Sequence, residues 1–116
     1  MSNGAAAVSI GIPGLLCEHP GMAAYLVANI EIVDPVAFDE YRKRVPETIA
    51  AHGGRYLCRG GAVEVLEGDF PAKRVVVLEF PSVAAIKAWY ASPEYQPLLA
   101  MRERAARTTL IMIEGL

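Results

Sequence analysis

The sequence predicts an α+β domain of the ferredoxin-like type, βαββαβ, with one four-stranded antiparallel sheet and its helices on one face. Three observations predict it. Apolar residues alternate with period two at Tyr25–Ile32, and Arg74–Phe80 and Thr108–Glu114 are short apolar, β-branched-rich runs bounded by turn or charged residues, which marks strands. Between them, apolar residues recur at spacings of three and four behind cap-like residues, which marks helices. The stretch His52–Asp69, holding five of the ten glycines, joins the two halves through turns and a short strand.

With 116 residues the chain has room for one ordinary domain, and 53% hydrophobic with 21% charged residues is a globular composition. A net charge of −2 gives no basic stripe for nucleic acid. Residues 1–21 stand apart: they hold no Lys or Arg and one acid, Glu18. Without a basic n-region they do not read as a signal peptide, and no stretch reaches the length of a membrane span. They are expected to form a flexible leader outside the fold, apart from a strand-like Ala7–Ile12, with the domain at 22–116. Cys17 and Cys58 form no motif, which fits a reducing, cytoplasmic setting.

In the first strand, Leu26, Ala28, Ile30 and Ile32 share one face and Tyr25, Val27, Asn29 and Glu31 the other. Asp34-Pro35 is an N-cap followed by proline at the first helical position, where a missing N–H costs nothing. Phe38, Tyr41, Val45, Ile49 and His52 then form one buried stripe, with Pro46 expected to kink the helix and Gly53 to cap it in the left-handed conformation. His52 at the helix end complements the helix dipole. Arg55–Arg59 and Ala62–Glu67 read as two strand runs, or one strand bulged at Gly60-Gly61, closed by a hairpin loop at Gly68–Ala72. After Arg74–Phe80, Ser82 caps a short helix carrying Val83, Ile86, Trp89 and Tyr90. Ser92-Pro93-Glu94 repeats the signal and starts a second helix with Tyr95, Leu98, Leu99 and Arg102. Thr108–Glu114, rich in β-branched residues, closes the sheet.

The strands are apolar on both sides, Val75 and Val77 against Val76 and Leu78, Leu110 and Met112 against Ile111 and Ile113. One layer of helices covers one face only. Soluble monomers avoid an apolar face of that size, so the other is expected to be covered by a second copy in a symmetric homodimer.

Gly53-Gly54-Arg55-Tyr56-Leu57, Arg59-Gly60-Gly61, Leu66-Glu67-Gly68, Glu79-Phe80-Pro81 and Ala88–Gln96 closely resemble, in this order, the bacterial family called domain of unknown function 1330, in the dimeric α+β barrel superfamily. The resemblance covers Met22 to Leu116. It implies the ferredoxin-like fold, a dimer through the sheet face, and relatives among cofactor-free monooxygenases, lactone isomerases and haem-degrading enzymes. The family has no settled reaction.

Candidate site residues follow from polar groups in apolar surroundings. Glu79, expected on the helix-free face with Asn29, Glu31 and Glu114, would have its pKa raised toward a useful general base, and Glu31 is expected near it. The structural alternative is an arginine partner for each acid. Arg59 and Glu67 flank the glycine run, where an arginine beside bare backbone suits bidentate capture of a carboxylate, or an ion pair with Glu67 fixes the bulge. Trp89 is a core residue first and a cavity wall second. Tyr95 places a hydroxyl after the Ser92-Pro93 cap, and Arg102 lies two turns further on the same helix face, suited to an anion or to a surface salt bridge.

Catalysis would rest on Glu79 or Glu67 as base, substrate binding on Asn29, Arg59, Trp89, Tyr95 and Arg102. Two histidines and two unclustered cysteines build no metal set, and the glycine spacing matches no phosphate loop or dinucleotide fingerprint, so neither a metal nor another cofactor is expected. Asn29 and Trp89 resemble the haem-degrading branch, yet the second helical region holds no histidine for an axial ligand. The expected partner is a small anionic or carbonyl compound, bound with or without cofactor-free proton transfer or oxygenation; membrane and nucleic acid are not expected partners. A non-catalytic ligand-binding or structural dimer is the other reading.

Overall fold

The structure is a computed structural model that describes residues 23–116; the leader expected at 1–21, with its strand-like Ala7–Ile12 and Cys17, lies outside the described residues. The elements are β1 (Ala24–Ile32), α1 (Pro35–Ala51), β2 (Arg55–Arg59), β3 (Arg74–Phe80), α2 (Val83–Tyr90), α3 (Gln96–Ala105) and β4 (Ala106–Glu114). The strands form one antiparallel sheet in the order β2-β3-β1-β4, the ferredoxin-like arrangement.

The helix ends follow from their capping residues. Asp34 accepts a hydrogen bond from the Ala37 amide at 3.2 Å, and the Ser82 hydroxyl accepts one from the Ala85 amide at 3.0 Å. At the end of α1, Gly53 has φ +80°; its N–H reaches the Ala50 carbonyl at 3.0 Å and the Gly54 N–H reaches Ile49 at 2.9 Å. This pair of bonds is the Schellman motif, which satisfies carbonyls that the helix leaves open.

The core lies between the sheet and the helices. Ala24, Leu26, Ile30, Val76, Leu78 and Phe80 point from the sheet onto Phe38, Tyr41, Val45 and Ile49 of α1 and onto Ile86, Trp89 and Leu98. On the other face, Val27 stands between Val77 and Ile111 in register, and no described element covers them. Ile111 and Ile113 are half exposed there.

Three expectations differ from the structure. Residues 62–67 form no strand: β3 starts at Arg74, so beyond the Gly60 amide bond to Val75 (2.9 Å) the chain finds no ladder partner, and Gly68 and Pro71 interrupt the returning segment. Helix α3 starts at Gln96 rather than at Ser92, because the Ser92 hydroxyl closes a turn, donating to the Trp89 carbonyl at 2.8 Å and accepting from the Tyr95 amide at 3.2 Å. Strand β4 begins earlier, at Ala106, where pairing with Ile32 continues the register.

Candidate functional site

A cleft opens between the helix-side face of the sheet and the helices, with about 540 Å³ of atom-free space including its open mouth. Its walls are apolar, among them Leu26, Ile30, Phe38, Val45, Val76, Leu78 and Leu110. Among the described residues its polar lining consists of four arginines (Arg42, Arg59, Arg74, Arg102), three tyrosines (Tyr41, Tyr56, Tyr95), the Trp89 indole and Thr108, with no carboxylate and no imidazole. In a chain of net charge −2, this cavity is a local region of positive charge.

Arg102 on α3 is 8% exposed. Its Nε donates to the Tyr95 hydroxyl at 3.3 Å, and Tyr95 and Tyr41 share a hydrogen bond at 3.0 Å. Among the described residues the guanidinium has no carboxylate partner and no other hydrogen bond. A buried cation of this kind is costly unless something anionic meets it. Thr108 on β4 adds a buried hydroxyl with no hydrogen-bond partner. Trp89 completes the wall: its Nε1 donates to the Thr48 hydroxyl at 3.0 Å and its ring stacks on Tyr95 with centroids 4.1 Å apart.

Ionisation follows burial. Desolvation, reinforced by the neighbouring Tyr95 hydroxyl, pushes Tyr41 far above the usual phenol range. Desolvation also raises Tyr56, with Tyr95 adding to it, against the pull of the Arg59 and Arg74 guanidiniums. For Arg102, burial lowers the pKa but the Tyr95 and Tyr41 hydroxyls more than offset it, so the group stays charged. At neutral pH Tyr41 and Tyr56 keep their protons, and the cavity offers hydrogen-bond donors.

Tyr25, Tyr41 and Tyr56 are all raised above their ordinary value of 10.0. Above pH 10 the unfolded chain therefore binds fewer protons than the folded one, and stability falls as pH rises; below that it is level in these groups. Thermal melts in Tyr41→Phe are expected to show an alkaline limb shallower by up to about 1.4 kcal/mol per pH unit, one proton's worth. An unchanged slope would place the effect elsewhere.

Of the residues singled out from the sequence, the cavity gathers Arg59, Trp89, Tyr95 and Arg102. Asn29 stands on the opposite face, where its side chain holds the β2–β3 connection, donating to the Pro71 carbonyl at 3.1 Å and accepting from the Lys73 amide at 2.8 Å. Glu79 is also on that face, bound by Arg55 at 2.7 Å and by the Tyr25 hydroxyl at 3.2 Å. Glu31, expected near it, sits at the far end of β1 opposite Arg107, about 20 Å along the strand. Glu67 is exposed in the connection between β2 and β3. The His52 Nδ1 lies 3.1 Å from the Thr48 carbonyl, within the helix end it was expected to stabilise.

Sequence reading missed Tyr41, Tyr56, Arg74 and Thr108 as site residues. The signal was present in strand parity: Arg74 falls on the face of Val76 and Leu78, and Thr108 on the face of Leu110. Arg59 is different. Simple alternation puts it opposite Tyr56, but a bulge between Tyr56 and Cys58 turns it to the same face, where its guanidinium lies 4.4 Å from the Tyr56 ring centroid.

Among the described residues, no cluster of three or more His, Cys, Asp or Glu side chains is placed to hold a metal ion, and no helix is long and apolar enough to cross a membrane.

An antiparallel β2-β3-β1-β4 sheet with its helices on one face and a cleft beneath them is the ferredoxin-like plan. Among solved structures, the chain is similar to a protein of unknown function, RPA0582, from Rhodopseudomonas palustris: TM-score 0.67, 20% identity, 83% of this chain and 84% of that one. It is similar to SnoaB, a cofactor-independent oxygenase from Streptomyces nogalater, with TM-score 0.58, 12% identity, and 82% and 94% of the two chains covered. A candidate antibiotic biosynthesis monooxygenase from Nitrosomonas europaea aligns at TM-score 0.54 and 9% identity over 86% and 96%. At these identities the likeness is one of fold. No curated protein matches the sequence. The chain belongs to the family described as domain of unknown function (DUF1330), whose pattern matches residues 23–116.

Proposed function

We propose that the protein is a cytoplasmic homodimer that takes a small organic anion with an apolar body into the cavity beneath its sheet. One observation carries this reading: the buried Arg102 guanidinium has only the Tyr95 hydroxyl for company and no carboxylate among the described residues. A ligand carboxylate or enolate supplies the missing charge, with the Arg102 N–H groups and the Thr108 hydroxyl as donors. The apolar walls take the carbon skeleton. The uncovered face around Val27, Val77 and Ile111 supports pairing with a second copy.

If the site turns a substrate over, its chemistry is oxyanion stabilisation. A proton-abstracting role for Glu79 or Glu67 starts outside the cavity, since Glu79 is ion-paired on the other face and Glu67 lies in an exposed loop. Oxygenation of the kind named for the Streptomyces protein asks less of the site: a substrate acidic enough to enter as its own anion needs donors, which this cavity has.

Trp89 is the single tryptophan and lines the cavity, so its fluorescence reports on occupancy. Titration with 2-naphthoate is expected to quench it, with matching heat by calorimetry. The neutral 2-naphthamide is expected to bind about tenfold weaker or worse, the worth of one charge-assisted hydrogen bond. Equal binding of acid and amide, or no response to a panel of small acids, would sink the reading.

A further inference from the structure

We propose that Arg59 and Arg74 form a second anion subsite at the mouth of the cavity, so that the ligand is an apolar molecule acidic at both ends. The inference rests on the anion-binding reading above and names the ligand class more closely. Arg102 sits deep, whereas Arg59 is exposed and Arg74 half-buried, so the two charges mark an outer rim and the one an inner end. Neither Arg59 nor Arg74 has a carboxylate partner among the described residues; Arg42, which also lines the mouth, is paired with Asp39. The Arg59 guanidinium lies 4.4 Å from the Tyr56 ring centroid and that of Arg74 beside Gly60, and both pull the Tyr56 pKa down against its burial.

Two unpaired like charges repel, and three separate features of the chain nonetheless hold them together. The bulge between Tyr56 and Cys58 turns Arg59 into register with Val76, two residues from Arg74 on the same face. Gly60, at φ +75°, leaves room for the Arg74 guanidinium, whose Nη1 a Cβ at that position would strike. The third is in α1. Pro46 has no N–H, so the Arg42 carbonyl four residues earlier lacks its helical donor, and Arg59 Nη2 donates to it at 2.8 Å. The helix proline thus creates the acceptor that parks Arg59 at the cavity mouth. Arranged this way, the rim is a two-guanidinium clamp for a carboxylate or similar anion.

The test compares acids with one and two charged ends on the full chain by calorimetry: benzoate against terephthalate, and 2-naphthoate against naphthalene-2,6-dicarboxylate. In at least one pair the diacid is expected to bind about tenfold tighter or more. Arg59→Gln and Arg74→Gln, which keep the aliphatic stems, are each expected to bring that ratio down toward one. Pro46→Ala supplies the Arg42 carbonyl with a helical donor and releases Arg59; the ratio falls, and in an Arg59→Gln background Pro46→Ala has no further effect. Circular dichroism checks that each variant is folded. Binding of the monoacids without a diacid preference, or a preference that survives the Arg59→Gln, Arg74→Gln double variant, overturns the subsite alone. If neither class of acid binds, the cavity reading falls and the subsite with it.

Discussion

Arg102→Met is expected to weaken anion binding about a hundredfold and, in the same protein, to raise the melting temperature. The two effects have one cause. Arg102 is 8% exposed, and its guanidinium meets the Tyr95 hydroxyl but no carboxylate among the described residues. Replacing buried ionic groups with apolar side chains of similar volume is commonly neutral or stabilising by about 1–4 kcal/mol. For a domain of this size each kcal/mol moves the midpoint by roughly 4–8 °C. Methionine fills the volume, and Tyr95 keeps its hydrogen bond to Tyr41. Affinity for 2-naphthoate is expected to fall by about a hundredfold, the upper range for a charged hydrogen-bonding partner. Parallel melts and titrations check both. A lowered melting point would show that Arg102 is there for the fold; retained affinity would show that the anion binds elsewhere.

Val27→Asp is expected to convert the protein from dimer to monomer. Val27 is central on the uncovered face, flanked in register by Val77 and Ile111. With a second sheet packed on it, the aspartate would be buried without a partner, at a cost of several kcal/mol that raises the dissociation constant by two or three orders of magnitude. Light scattering behind size exclusion is expected to give about twice 12.5 kDa for the parent chain and about 12.5 kDa for the variant. Val36→Asp on α1, where the valine is 83% exposed, serves as a control that leaves the dimer intact. Val27→Thr tests the same position more gently should the aspartate impair folding. A parent chain that runs as a monomer, or a Val27→Asp variant that runs as a dimer, would refute the sheet-to-sheet assembly.

The fold was legible in the sequence wherever the signal is local. Period-two alternation around Leu26–Ile30 and the short apolar run Val75–Leu78 are properties of the strands alone, and Asp34-Pro35, Ser82 and Gly53 act within a turn of themselves. What failed to show depends on distant partners. Ala62–Glu67 alternates like a strand, yet a strand needs a neighbour, and β3 begins too late to be one. The site divides in the same way. Trp89, Tyr95 and Arg102 were visible as polar-tipped residues on an apolar helix face. Glu79 stands on the helix-free face where it was expected, with Arg55 beside it by cross-strand pairing; what the local sequence did not show is that the cavity opens on the opposite face. The bulge that aims Arg59 is set by the β2–β3 register, a long-range property with no mark of its own in the local sequence.

Strand order has a consequence for how the molecule is made. β1 is flanked by β3 and β4 and never touches β2, so the first half of the chain, as it leaves the ribosome, contains two strands that cannot pair with each other. β1 pairs with β4 along its whole length, from Ala24 opposite Glu114 to Ile32 opposite Ala106. The central strand therefore stays without its full set of partners until nearly the last residues of the domain have been synthesised. Folding is a late, cooperative event that draws together the opposite ends of the domain, and loss of β4 strips one whole side of β1 of its bonds.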